Sequence, residues 1–301
     1  MRVLVTGGSG FIGSRLVRSL VRCGHETISA DIVVAAGAGE PLHLDVCSAA
    51  DVCRALRGVD AVFHLAGYGQ ALSNDRLLDA CRAHVQGTLN LVHGCIENGV
   101  GWFGLASTFL VYRGAAGGCV DEDSAIDPLL LDPFAASKLG AELALVHLAR
   151  RYGVRHAILR YGSAYGSSMS SNVVGGFLRC LERREPIEVW GDGSRTIQLT
   201  HVDDLAEGSV RALDAPDGTY NLVSGQVTSI AELAAHFHRL CGAEVRHDLS
   251  RPQPPPVPVV SPDKARRLLG WNPVDIQTGL RRSLDRVSRD DCGPVGTSQR
   301  R

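Results

Sequence analysis

Short apolar-centred runs alternate along the first half of the chain with longer stretches whose apolar side chains return every three or four positions. The runs are Arg2–Thr6, Glu26–Asp31, Asp60–Gly67, Trp102–Ser107 and Val154–Tyr161. Their shortness and continuous apolar centres predict strands buried on both faces. The longer stretches, Phe11–Cys23, about Leu77–Asn98 and Phe134–Tyr152, predict helices. Strands alternating with helices of this length predict an α/β fold, a Rossmann-type doubly wound parallel sheet. Past Gly166 the alternation loosens. A helix near Val173–Arg184, a strand at Ile187–Gly191, a helix opening at Val202-Asp203-Asp204, a Pro-rich stretch Arg251–Pro262 and a helix Asp263–Gly270 predict a smaller C-terminal α/β lobe over the sheet's C-terminal edge. The expected division is a first domain at 1–165 built on that sheet, with a return of the chain near 198–226, a second lobe at 166–288, and a disordered polar tail at 289–301.

Chemistry enters at the first strand-to-helix turn. Thr6-Gly7-Gly8-Ser9-Gly10-Phe11-Ile12-Gly13 follows one predicted strand and opens one predicted helix. Gly7, Gly10 and Gly13 permit a tight turn, close backbone approach to a pyrophosphate, and close packing of helix on strand, while the helix N-terminus attracts the phosphate charge. Asp31 ends the second strand, where its carboxylate would accept from ribose hydroxyls and repel a 2′-phosphate, which favours NAD over NADP.

Composition mostly excludes. The 301 residues carry a net charge of −1, giving no bulk electrostatic case for nucleic acid or an anionic membrane. No apolar run reaches the roughly 18 residues of a membrane span. The glycine motif starts too near the first residue to leave room for a signal peptide. Nine scattered cysteines, with no C-x-x-C pair, read as reduced thiols and point to the cytoplasm; no metal site is expected, and His236 and His238 diverge on a helix. The 31 basic side chains include only two lysines, Lys138 and Lys264. Lys138 therefore stands out, and it lies one helical turn after Phe134, on the same face.

Together these segments resemble the extended short-chain dehydrogenase/reductases, in particular the NAD-dependent epimerase/dehydratase family of the UDP-glucose 4-epimerase kind. The motifs are Thr6–Gly13, Leu44-Asp45-Val46, Phe63–Gly67, Gly87–Asn90, Ser107–Tyr112, Val120–Asp123, Pro133–Lys138, Leu159–Gly166, Gly191–Gly193, His201–Asp204, and Lys264-Ala265 with Leu269-Gly270-Trp271. The resemblance runs from Val3 to about Leu284. It implies that Phe11 and Ile12 amides meet the pyrophosphate, that Asp45 and Val46 meet the adenine, that Leu65, Ala66, Gly67 and Ser107 lie along the cofactor, and that Lys138 bonds its ribose. It further implies that Thr108 bonds the reacting sugar hydroxyl, that the 166–288 lobe binds substrate, and that two copies pair through the helices near Leu77–Asn98 and Phe134–Tyr152.

Four positions depart from the family pattern. Phe134 stands where the family has the Tyr that accepts the alcohol proton. His84 replaces an Asn, Ser163 replaces a substrate-contacting Asn, and Ile197 falls where an Arg usually clamps a nucleotide diphosphate. Arg195 lies two residues away, and Arg251 matches the second clamp position. The replacement for the Tyr base is left among Tyr112, Tyr165, His84, His201 and a water held by Thr108. Phe109 and Leu110 occupy the places of the Asp-Glu pair of sugar 4,6-dehydratases, and neither can move a proton, so dehydration is disfavoured. The expected activity is NAD-dependent epimerisation, or related redox chemistry, of a nucleotide sugar by transient carbinol oxidation. The competing expectation is a catalytically degenerate homologue that holds NAD and a sugar nucleotide as a sensor or partner protein.

Overall fold

The computed structural model describes residues 1–70, 76–115, 118–167 and 172–290, with side chains described to residue 284. Seven parallel strands form the central sheet. We label β1 (Arg2–Thr6), β2 (Glu26–Asp31), β3 (Glu40–His43), β4 (Ala61–His64) and β5 (Trp102–Thr108). Across the sheet the order is Gly218–Leu222, Arg155–Tyr161, β5, β4, β1, β2, β3. The chain reverses direction across the sheet between β1 and β4, and ligands of such sheets bind beyond the strand C-termini at that point. The strand Gly218–Leu222 comes from late in the chain and pairs with Arg155–Tyr161. Two apolar layers, one on each sheet face, explain the continuous apolar runs. Leu16, Leu20, Phe63, Leu159, Leu205 and Trp271 sit in one, and Leu4, Val52, Val62, Leu91, Phe103 and Leu145 in the other. A third cluster, with Val174, Phe177, Ile187, Leu233 and Phe237, holds the later part of the chain together.

Two helical segments differ from expectation. The helix predicted over Leu77–Asn98 is broken: Leu77–Cys81 runs into a π-helical turn, Arg82–Gln86, before Gly87–Asn98. A π-turn adds a residue to the helical pitch and re-aims what it carries, here His84. Beyond Asp263–Leu269 a further helix, Ile276–Asp290, buries Ile276 and Leu280 in the third cluster; its arginine-rich surface hid that narrow apolar stripe from the sequence. Its last residues fall inside the stretch predicted as a disordered tail, and 291–301 of that stretch lie outside the described residues. Among the described residues no helix is long and apolar enough to cross a membrane, and no cluster of His, Cys, Asp or Glu is arranged to hold a metal.

Candidate active site

The residues singled out in the first half of the sequence gather at the C-terminal edge of the sheet. Gly7, Gly10 and Gly13 follow β1, Asp31 ends β2, Asp45 and Val46 follow β3, Leu65–Gly67 follow β4, and Ser107 and Thr108 end β5. Gly7 has φ +71°, and a Cβ there would lie 2.7 Å from the Ala66 nitrogen; only glycine lets these two loops meet. A Cβ on Gly13 would strike the Gly7 carbonyl oxygen at 2.0 Å. The first helix, Phe11–Arg22, has Gly10 as N-cap and no side-chain cap. The first-turn amides, including those of Phe11 and Ile12, therefore have no intrahelical or side-chain partner and point their N–H groups outward. Asp31 accepts from the Ser9 amide at 3.1 Å and the Val33 amide at 3.2 Å, which ties the glycine loop to β2 and leaves carboxylate lone pairs for ribose hydroxyls. An anionic dinucleotide fits this cradle on steric and electrostatic grounds alike.

Lys138 sits on the helix Pro133–Tyr152, which Asp132 caps by accepting from the Ala135 amide at 2.9 Å. Its ammonium is 7% exposed and donates to the Ala106 carbonyl on β5 at 2.9 Å. Burial lowers it to about 8, against a partial rise from Glu142. Glu142, one turn further along, is engaged elsewhere: Arg160 donates to it from Nη2 at 2.7 Å and from Nε at 3.1 Å, and the Ser107 hydroxyl donates to it as well. Arg160 also donates to the Tyr112 hydroxyl at 2.6 Å, and Tyr112 donates to Asn221 at 2.9 Å. This buried chain joins β5, the lysine helix and the two strands beside it. Sequence reasoning missed Glu142 and Arg160, although a charged residue inside the apolar run Val154–Tyr161 was a usable signal.

The π-turn turns His84 inward. Its Nε2 accepts from the Tyr68 amide at 3.2 Å, which leaves Nδ1 to donate to the Ser137 hydroxyl at 2.8 Å; Ser137 in turn donates to the Phe134 carbonyl. The Phe134 and His84 rings meet edge to face at 5.8 Å. Burial first, then the charge of Lys138, pulls His84 down to about 2. The same two causes hold His64, whose Nδ1 lies 2.8 Å from the Thr6 hydroxyl, at about 3. Both histidines stay neutral in the fold while the unfolded chain protonates near 6.5. Stability is therefore full above that value and falls as acid is added, by about 1 kcal/mol per histidine at one pH unit below it. A His84→Asn variant is expected to show a smaller loss of melting temperature between pH 7.5 and 5.5 than the parent; an equal loss would contradict the assignment.

The four side chains expected as replacements for the Tyr base are each engaged in other contacts. Tyr112 lies between Arg160 and Asn221, and burial raises it. Tyr165 is buried edge-on to His201 at 5.3 Å, with its hydroxyl against Gly279, and burial raises it too. His201 caps the helix Val202–Arg211 by accepting from the Asp203 amide at 3.3 Å. Thr108 Oγ1 accepts from the Leu110 amide at 3.2 Å and retains its own proton to donate.

Toward the later lobe, Arg195 and Arg251 line a cavity of about 950 Å³ with Asn172, Phe177 and Trp190. Arg251 lies over the Trp190 ring at 5.2 Å and is held by Asp248 at 3.1 Å. Arg195 donates from Nε to the Pro255 carbonyl at 3.2 Å and is lowered by burial and then by the charge of Arg113. Arg113 bonds Asp132, the cap of the lysine helix, at 2.9 Å, so the arginine cavity and the lysine helix are neighbours; the sequence reading passed over Arg113. Ile197 is buried in the third cluster, paired with Thr228, and does not line the cavity of Arg195 and Arg251. Ser163 follows Arg155–Tyr161 and pairs with Leu199, half-buried, apart from the arginines.

Residues 3–223 match the model of the NAD dependent epimerase/dehydratase family. The UDP-glucose 4-epimerase of Azospirillum brasilense is 30% identical over 306 residues, covering 90% of this chain and 87% of that one. Among solved structures, the UDP-glucose 4-epimerase of Thermotoga maritima with UDP-glucose has a TM-score of 0.87 at 26% identity, over 96% of this chain and 99% of that one. A UDP-glucuronic acid 4-epimerase from Bacillus cereus, in a Tyr-to-Phe mutant form with NAD and a fluorinated UDP-glucuronic acid, has a TM-score of 0.82 at 25% identity, over 96% and 99%.

Proposed function

The chain belongs to the NAD dependent epimerase/dehydratase family, and on that premise we propose that it is an NAD-dependent nucleotide-sugar epimerase, or a closely related sugar oxidoreductase, that works without the usual Tyr. The observation that carries the reading is the uncapped glycine-loop helix N-terminus joined to Asp31 on one side and to Ala66 on the other. NAD supplies hydride acceptance and return when bound. Gly7, Gly10, Gly13, Phe11 and Ile12 would hold its pyrophosphate, Asp31 its adenosine ribose, Asp45 and Val46 its adenine, and Leu65–Gly67, Ser107 and Lys138 the far half. Thr108 would orient the sugar hydroxyl, Ser163 would contact the substrate, and Arg195 and Arg251 would hold the nucleotide diphosphate end. Phe109 and Leu110, both buried apolar residues, cannot serve the proton transfers of dehydration, which favours epimerisation.

Analysis of the purified protein by mass and absorbance is expected to find bound NAD(H), and incubation with a panel of UDP- and dTDP-sugars is expected to yield an epimer. Cofactor binding with no product on any member would contradict the enzymatic reading. Asp31→Asn is expected to weaken NAD and to lower its preference over NADP by about tenfold, because the carboxylate's repulsion of a 2′-phosphate is removed; competition binding checks this, and an unchanged ratio would contradict Asp31 as the selector.

Phe134 favours a second reading, a protein that binds NAD and a sugar nucleotide but turns over little. The Bacillus cereus Tyr-to-Phe mutant is a structure of that enzyme with both NAD and a nucleotide-sugar analogue bound, so for that enzyme a Phe form binds both. We further propose a cytoplasmic homodimer, formed through the helices around Leu77–Asn98 and Pro133–Tyr152. The half-exposed Leu77, Leu143 and Tyr152 and the largely exposed Leu78 on these helices support it, and a monomer in sedimentation at micromolar concentration would contradict it.

A further inference from the structure

With no phenol at position 134, the proton of the sugar alcohol needs another acceptor in the cleft, and the structure narrows the choice by occupation. His84 uses one nitrogen to accept from Tyr68 and the other to donate to Ser137. His64 is buried against Thr6. Tyr112 is bonded to Arg160 and Asn221, Tyr165 is packed on His201 and Gly279, and His201 caps its own helix. Glu142 is paired with Arg160 and Ser107. Lys138 differs from all of these. Its Nζ reaches one described partner, the Ala106 carbonyl, which leaves further N–H positions on the ammonium unused by that bond.

The groups facing Lys138 are few. From its own helix comes Glu142, from β4 His64, from the π-turn His84, and from β5 the Ala106 carbonyl. The two histidines are neutral, and Glu142 is neutralised by Arg160 at 2.7 Å. The ammonium is thus a buried cation with no carboxylate of its own. Such a group gives up its proton readily, and the fall to about 8 agrees with that environment. The carbonyl it touches is two residues before Thr108 on the same strand.

We propose that Lys138 is itself the proton acceptor and donor of the reaction, acting through a water that bridges it to the sugar hydroxyl oriented by Thr108. This rests on the epimerase reading above. Neutral Lys138 takes the carbinol proton through the water and becomes the ammonium, while the carbinol hydride passes to NAD, leaving a ketone. When the hydride returns to the other face of the ketone, the ammonium gives its proton back. The Lys in this position would then do more than anchor a ribose: it carries the acid–base chemistry that the Phe134 ring cannot.

The chain's two lysines make the test direct. Protein labelled with [13Cε,15Nζ]-lysine gives two signals, and the one lost in Lys138→Arg belongs to Lys138. That signal is expected to titrate near pH 8. Lys138→Arg keeps the cation but cannot act as a base near neutrality. It is expected to hold NAD within about fivefold of the parent, to lose turnover by about 100-fold or more, and to lose the rise of activity through pH 8. A Lys138 signal that stays protonated beyond pH 10 would overturn the proposal alone. So would a Lys138→Arg variant that keeps more than a tenth of the turnover. No epimer from the parent with any sugar nucleotide, with Lys138 titrating near 8, would instead sink the functional reading and the proton role with it.

Discussion

Replacing Phe134 with Tyr is expected to raise turnover by about 100-fold or more at neutral pH. The ring already stands one turn before Lys138 on the same helix face. Adding a hydroxyl to that ring would place a phenol beside a buried ammonium, and the cation would lower the phenol's pKa toward neutrality. A positioned general base is worth about 10²- to 10⁴-fold in rate. The water-mediated route through Lys138 supplies part of that, so the gain falls toward the lower end. The hydroxyl costs little in stability, because Phe134 is only partly buried and meets His84 edge to face at 5.8 Å. Steady-state kinetics across pH 6 to 9 checks the result. Unchanged or reduced turnover would mean that the cleft has closed around the apolar ring and that the missing hydroxyl is not the limiting feature.

The second large effect concerns the ion pair behind the site. Glu142→Leu would leave the Arg160 guanidinium buried at 6% exposure with only Tyr112 as a described partner. Breaking one side of a buried pair costs about 3–5 kcal/mol, which lowers the melting temperature by on the order of 10 °C for a chain of this size. Glu142→Leu combined with Arg160→Leu removes both charges, and is expected to be more stable than the single variant by about 2 kcal/mol. Thermal or denaturant unfolding of the three proteins reads this coupling directly. A single variant within about 1 kcal/mol of the parent would show that the pair is solvated and not the brace drawn here. The brace matters to the chemistry because Ser107 and Lys138 flank it: Ser107 donates to Glu142, and Lys138 lies one turn away with its charge uncompensated only while Arg160 holds Glu142.

The sheet could be read from the chain because buried parallel strands leave an unambiguous mark. Arg2–Thr6 and Trp102–Ser107 have no polar alternation to confuse them, and the glycines at 7, 10 and 13 announce the turn by what they lack. β3 was not visible: Glu40-Pro41-Leu42-His43 is mostly exposed at the sheet edge and carries no apolar run. The π-turn at Arg82–Gln86 was equally hidden. A single extra residue leaves the apolar spacing of the surrounding helix nearly unchanged, yet it decides whether His84 faces solvent or the underside of Phe134. The Glu142–Arg160 pair joins residues 18 positions apart, across a helix and a strand, and only the tertiary fold shows that each answers the other. Arg195 and Arg251 were reachable from spacing to their motifs, but their shared cavity with Trp190 was not, since the aromatic platform comes from a separate strand.

The departure at Phe134 stands beside Lys138 and His84, and Ile197 is packed into the third apolar cluster, whereas the glycine loop and Asp31 keep the form a dinucleotide requires. An active enzyme and a silent binder would look alike in every binding experiment. They part at the hydride. The most direct test is a rapid-mixing measurement of NADH absorbance after NAD-loaded protein meets UDP-glucose or UDP-glucuronic acid. An NADH signal is expected that rises within the lifetime of one turnover, faster as pH increases through 8, and then decays as epimer accumulates. Tight binding of both ligands with no NADH at any pH between 6 and 9 would contradict it.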